Sequence, residues 1–153
     1  MDLHTERQSV AAWVHLVMIA CVLPGTVAAI LAEDPGARWT IAICVVIIVA
    51  VYGLFTPMTV RVDSERVAVD FGRFGWPRWR FPISEISSAE TVEFAPLRDF
   101  GGWGIRRGKK GWCLNQRGSR GVRMDFAGRS YIIGSDDPEA LLRAMQTAGV
   151  PRG

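Results

Sequence analysis

Apolar positions are distributed along this chain in two ways. From Val10 to Ala32 the run VAAWVHLVMIACVLPGTVAAILA holds 23 residues without a formal charge, and from Trp39 to Phe55 the run WTIAICVVIIVAVYGLF holds 17 more, extendable through Thr56 to Met58. A helix of about 20 residues crosses the ~30 Å hydrocarbon core of a bilayer, so the two runs predict membrane-spanning helices over 10–32 and 39–56. Between them lies EDPGAR, Glu33 to Arg38, and its Asp-Pro-Gly is turn chemistry. Residues 10–56 therefore read as a tight transmembrane hairpin behind a short N-terminus, residues 1–9. Trp13, Trp39 and Tyr52 lie near the run ends, where amphipathic rings favour the membrane interface.

After Met58 the period becomes two. Val60 and Val62 alternate with Arg61 and Asp63, Asp63-Ser64-Glu65 turns the chain, and Val67, Val69 and Phe71 alternate with Ala68 and Asp70. This is a hairpin with one buried face. GRFGWP, Gly72 to Pro77, reads as a loop. Alternation returns over Trp79 to Ile83, over Ile86 to Phe94, on both sides of Gly108-Lys109-Lys110-Gly111, over Val122 to Phe126, and after the Ala127-Gly128 turn. APLRDFGG, after Phe94, reads as a further loop. About seven short strands at regular spacing predict a small antiparallel sheet, sandwich or open barrel. A helix closes the chain: Asp137 can cap it, Pro138 fits its first position, Glu139 suits its positive end, Leu141, Leu142 and Met145 form its stripe, and Gly149-Val150-Pro151 stops it.

Strands followed by one C-terminal amphipathic helix, from Thr59 to Ala148, resemble the pleckstrin-homology order. FPISEI at Phe81 to Ile86, GGWGIRR at Gly101 to Arg107 and GRSYIIGSDDPEALLRAM at Gly128 to Met145 are similar to the bacterial PH-like domains of small actinobacterial membrane proteins with two transmembrane helices. The resemblance implies an α+β membrane protein: a two-helix hairpin, then a PH-like seven-stranded antiparallel β-barrel or sandwich capped by the C-terminal helix, over residues 57–153. It implies little chemistry.

Composition sharpens this division. The 153 residues are 49% hydrophobic and 22% charged, too apolar for a disordered chain, and three cysteines exclude a disulfide scaffold. Between Val10 and Met58 the only charges are Glu33, Asp34 and Arg38. Arg38 is alone in the hairpin turn, whereas Arg7, the α-amine, Arg61, Arg66 and Arg73 flank the other ends, so the bias of Lys and Arg predicts both termini in the cytoplasm of a multi-pass cell-membrane protein. A cleaved signal peptide fits poorly, because MDLHTERQSV is near neutral and 23 apolar residues are too many. Pro24-Gly25 reads as a tolerated kink, His15 as an interfacial group, and Cys21 and Cys44 as buried apolar fillers.

Catalytic patterns fail. His4 and His15 are the only histidines and both precede the second run, which excludes His-dependent nucleophilic catalysis or a His-ligated metal in the polar domain. Cys113 is a lone strand cysteine. Gly104 to Lys110 is one residue short of a phosphate loop, with Lys110 where a Ser or Thr is needed. No enzyme activity and no cofactor are expected. The strongest functional signal is basic: Arg98 to Asp125 holds eight Lys and Arg against Asp99 and Asp125, a local charge of +6 against +3 for the whole chain, with Trp103 and Trp112 inside it. Such a stretch suits an anionic surface or displays solvated strand edges. Trp103, Arg106, Arg107, Lys109, Lys110 and Arg117 are the candidate contact residues, for anionic lipid headgroups or a membrane-protein partner. Nucleic acid is not expected beside so short a tether. The alternative is a structural or accessory subunit of a larger membrane complex, with Pro24, Gly25 and Gly53 admitting other helices.

Overall fold

The computed structural model describes residues 3–108 and 111–153. The chain begins with a strand, β1 (His4–Gln8), and then forms two long helices, α1 (Ala12–Leu31) and α2 (Pro35–Phe55). Both helices are long and apolar enough to cross a membrane. The turn between them is shorter than the six polar residues suggest. Asp34 is the N-cap of α2, its carboxylate accepting the Ala37 N–H at 2.6 Å, and Pro35 takes the first helical position. Asp-Pro therefore starts the second helix and does not only turn the chain. Arg38 reaches back to the Ala32 carbonyl at 2.8 Å, satisfying an acceptor at the end of α1. Gly25 lies where a Cβ would come within 2.9 Å of the Val45 side chain, so its small size serves the α1–α2 contact, while Gly53 faces open space. Cys21 and Cys44 are exposed on the helix surfaces and fill no interior. That corrects the sequence expectation: two helices alone leave most of each circumference uncovered.

The described residues form nine strands in two sheets. The first sheet has the order β1-β2-β3-β4, with β2 (Met58–Val62), β3 (Arg66–Phe71) and β4 (Arg78–Pro82), all antiparallel. After a 3-10 turn at Ile83–Glu85 come β5 (Ile86–Glu93), α3 (Pro96–Phe100), β6 (Gly104–Gly108), β7 (Gly111–Asn115), β8 (Arg120–Phe126), β9 (Arg129–Gly134) and α4 (Pro138–Thr147). The second sheet has the order β5-β8-β9-β7-β6. Of the expected seven-stranded antiparallel barrel or sandwich, the structure keeps two sheets with the C-terminal helix, but no barrel closes and the pairing is not antiparallel throughout. The β8–β9 hairpin inserts between β5 and β7, so β7 and β9 run parallel, Cys113 opposite Ile132. The stretch read as a loop, Ala95 to Gly102, contains α3, with Pro96 at its first position and Gly101 ending it at φ +72°.

One core joins the two sheets and α4. Val60, Val69 and Phe81 come from the first sheet, Ala89, Met124 and Ile133 from the second, Leu141 and Met145 from α4. The alternation read in the sequence produces this core directly, because residues i and i+2 share a strand face. α4 is capped as expected, Asp137 accepting the Ala140 N–H at 2.9 Å, and buries Leu141, Leu142 and Met145. A smaller cluster of Phe94, Phe100, Cys113 and Ile132 covers the other face of the second sheet under α3.

The N-terminal strand is the main addition. Its residues pair with β2, from His4 opposite Val62 to Gln8 opposite Met58. Its inward side is polar. Glu6 accepts hydrogen bonds from the Ser135 hydroxyl (2.5 Å), the Asp136 N–H (2.6 Å) and the Gln8 amide (2.7 Å), and so ties β1 to the turn that precedes α4. Both ends of the α1–α2 hairpin thus feed neighbouring strands of one sheet.

Candidate functional site

The junction between hairpin and β domain is built by backbone contacts. β1 leads into α1 through Ser9 to Ala11, and α2 leads into β2 through Thr56 and Pro57. The β3–β4 turn folds against the end of α2: the Gly72 N–H donates to the Pro57 carbonyl at 2.7 Å and the Arg73 N–H to the Gly53 carbonyl at 3.4 Å. Gly72 has φ +70°, and a Cβ there would collide with the Leu54 carbonyl, so this position needs glycine. From the second sheet, the Gln116 amide donates to the Phe55 carbonyl. Gln116 is buried. The end of α2 is therefore held by both sheets.

A cleft of about 690 Å³ opens at this junction. One wall is apolar and comes from α1 and α2, including Val14, Met18 and Val51, and the other comes from Gly102–Arg106 and Gln116–Gly118. Trp13 of α1 meets Trp103 edge-to-face, centroids 6.5 Å apart, and His15 meets Tyr52 in the same manner at 5.8 Å. Aromatic pairs favour this edge-to-face geometry. Tyr52 lines the cleft, and its hydroxyl is shielded from solvent and has no hydrogen-bond partner among the described residues.

The structure separates the basic residues that the sequence groups together. Arg106 is exposed at the cleft, its Nε donating to the Trp103 carbonyl at 3.1 Å, and it makes no ion pair among the described residues. Trp103 is 36% exposed and its indole N–H donates to the Gly118 carbonyl at 3.3 Å. Arg107 follows on the opposite face of β6, its guanidinium carbon 5.9 Å from the Trp112 ring centroid, a cation–π distance. Arg117 also lines the cleft, but Asp136 holds it by two contacts, Nε to Oδ1 at 3.1 Å and Nη2 to Oδ2 at 2.5 Å. Those contacts, with the nearby charge of Glu6, raise the guanidinium pKa further above its ordinary value. Lys109 and Lys110 lie outside the described residues. The flanking Gly108 and Gly111 pair at the far end of the β6–β7 ladder from Gly104 and Asn115.

The remaining charges of the basic stretch meet carboxylates across strands. Arg123 pairs with Glu90 at 3.1 Å, directly opposite in the β5–β8 register, and Arg120 pairs with Glu139 and with Glu93, its register partner, at 3.8 Å. Arg98 contacts Asp99. A charge count along the sequence misses Glu90, Glu93 and Glu139 because β5 and α4 lie outside the window counted. Among the described candidates, Arg106 is the one at the cleft that makes no ion pair.

Two aromatic side chains that sequence reasoning passed over lie on the same side of the domain. Phe74 is 84% exposed and Trp76 58% exposed, both in the β3–β4 turn that is bonded to Gly53 and Pro57. Their signal was available: two large aromatics within Gly72–Pro77 have no strand face into which to fold. Cys113, by contrast, is a core residue, and burial pushes its thiol up to about 12, so it stays protonated and unreactive at neutral pH. Neither the protein-family models nor the curated proteins include a match to this chain.

Proposed function

We propose that the chain is a non-catalytic, membrane-anchored module with a PH-like domain, whose hairpin-side rim contacts anionic lipid headgroups at the cytoplasmic face of the cell membrane. One observation carries this reading. The β3–β4 turn, with exposed Arg73, Phe74 and Trp76, is hydrogen-bonded to the last turn of a helix long and apolar enough to cross a bilayer. Exposed aromatic rings at that level are the composition of a membrane-interface belt, and Arg73 and Arg106 beside them suit anionic headgroups. Arg7, Arg61, Arg66 and Arg73 on the domain side against Arg38 at the hairpin turn favour a cytoplasmic domain. The strand-rich domain closed by α4 supports the PH-like reading.

The test uses the full chain in nanodiscs of phosphatidylcholine, with or without phosphatidylglycerol. A solvent-sensitive fluorophore is attached at Phe74→Cys in a background lacking the native cysteines. The label is expected to report an apolar environment, more so with phosphatidylglycerol, and Arg73→Gln with Arg106→Gln should remove that increment. A label as water-exposed as one at Ser64, in the distal β2–β3 turn, overturns the lipid reading. It favours an accessory-subunit role, whose mark is a stoichiometric partner surviving gentle detergent extraction.

A further inference from the structure

We infer that the cleft between the hairpin and the second sheet binds a single anionic phospholipid from the surrounding leaflet, with its phosphate on Arg106, its ester region at Tyr52 and the start of an acyl chain along Val14, Met18 and Val51. This deepens the membrane-contact reading above and rests on it. Three independent features of the cleft require three parts of one ligand.

The charge comes first. Asp136 engages Arg117, so among the described residues the cation at the cleft without an ion pair is Arg106. A guanidinium binds phosphate oxygens through charge-assisted hydrogen bonds, and two of its N–H groups match two such oxygens. The second feature is the Tyr52 hydroxyl, a buried donor without an acceptor among the described residues. Buried polar groups are normally satisfied, and an ester oxygen entering the cleft beside Tyr52 is an acceptor that would satisfy this one. Tyr52 lies one helical turn before the end of α2, so its depth is that of an ester carbonyl below a phosphate at the rim. The third feature is the apolar wall supplied by both helices. A volume of about 690 Å³ falls in the range of small-molecule sites. Free phosphate would leave that wall and Tyr52 unused, and a neutral lipid tail would leave Arg106 unused. An anionic amphiphile satisfies all three. Trp13 and Trp103 close the side of the cleft with rings that favour this depth.

The experiment is native mass spectrometry of the full chain released from nanodiscs containing equal phosphatidylglycerol and phosphatidylcholine. One phosphatidylglycerol per chain is expected on the wild type. Arg106→Gln should lower that occupancy about tenfold, Arg106→Lys less, because charge is kept and the fork lost, and Tyr52→Phe several-fold. Arg129→Gln, on β9 away from the cleft, should retain wild-type occupancy. Circular dichroism on each variant checks that the fold is kept. Equal retention of phosphatidylcholine, unchanged occupancy in Arg106→Gln, or displacement by inorganic phosphate overturns the site. If the Phe74 label senses the bilayer while no lipid stays bound, this inference alone falls. If the label is also wet, the membrane-contact reading falls with it.

Discussion

The 20 residues of α1 and the 21 of α2 bury only Ala29, whereas the β domain places Met58, Val60, Val62, Val67, Val69 and Phe71 fully inside within two strands. The two regions have similar local order and different reasons for it. Leu16, Ile30, Leu31 and Trp39 are each two-thirds exposed or more, an arrangement that water opposes and hydrocarbon accepts. The helices satisfy their own backbone, and their exposed apolar surface suits an apolar solvent. The β domain excludes water by packing side chains from two sheets and α4. A substitution should therefore be felt in proportion to packing in the domain and hardly at all on the hairpin surface.

The largest expected effect tests that contrast. Phe81 is 2% exposed and lies 4.9 Å from the Tyr131 ring and 5.1 Å from the Phe126 ring, centroid to centroid. Phe81→Ala should destabilise the domain by about 3–5 kcal/mol, while Leu16→Ala in α1 should change it by less than about 0.5 kcal/mol. Denaturant unfolding in micelles, followed through the β signal, measures both, and equal effects would break the comparison. Next is the joint itself. Gly72→Ala adds a left-handed strain and a collision with Leu54, and should cost about 2 kcal/mol or more. It should appear as faster proteolysis near Thr56–Met58. Glu6→Ala leaves the Ser135 hydroxyl and the Asp136 N–H without their acceptor. A loss of about 1–3 kcal/mol is expected in thermal unfolding. Arg123→Ala removes a partly exposed cross-strand pair with Glu90, and should cost less than about 1 kcal/mol.

The smallest effect is a pH dependence. Asp63 accepts the N–H groups of Glu65 at 2.8 Å and Arg66 at 2.9 Å, and these bonds, with the Arg66 guanidinium, hold its carboxyl below the usual carboxylate range. Its stabilising contribution is complete above the unfolded value of about 3.9 and is lost as pH falls through the lower folded value. Asp63→Asn should flatten that acid limb slightly, read as melting temperature against pH.

Hydropathy and period-two alternation made the hairpin, most strands and α4 legible, since each depends on local pattern. The failures share one cause: information held elsewhere in the chain. His4, Glu6 and Gln8 form an inward strand face that is polar, so no hydrophobic period marks β1. Its partners are β2 and Ser135–Asp136, far along the sequence. The parallel β7–β9 pair follows from where the β8–β9 hairpin inserts, which no single strand encodes. At the candidate site, Arg106 and Trp103 were legible as a basic and aromatic stretch, yet the ion pairs of Arg117, Arg120 and Arg123 were not, because Asp136, Glu139 and Glu90 approach only through folding. Tyr52 entered only as an interfacial ring, because its unpartnered hydroxyl is visible only beside the cleft.

For a hairpin that inserts into a bilayer, the pairing of β1 with β2 also makes that insertion self-checking. During synthesis β1 is complete before either helix, and it waits until both helices and β2 have followed. If the hairpin seats with its ends together, the two strands meet and the edge of β2 is covered. If the first helix carries β1 across, the bilayer separates the strands, β2 keeps an open row of donors and acceptors, and Glu6 never reaches Ser135. A wrongly threaded chain would thus leave β2 as an open sheet edge, the place that β1 takes in the structure.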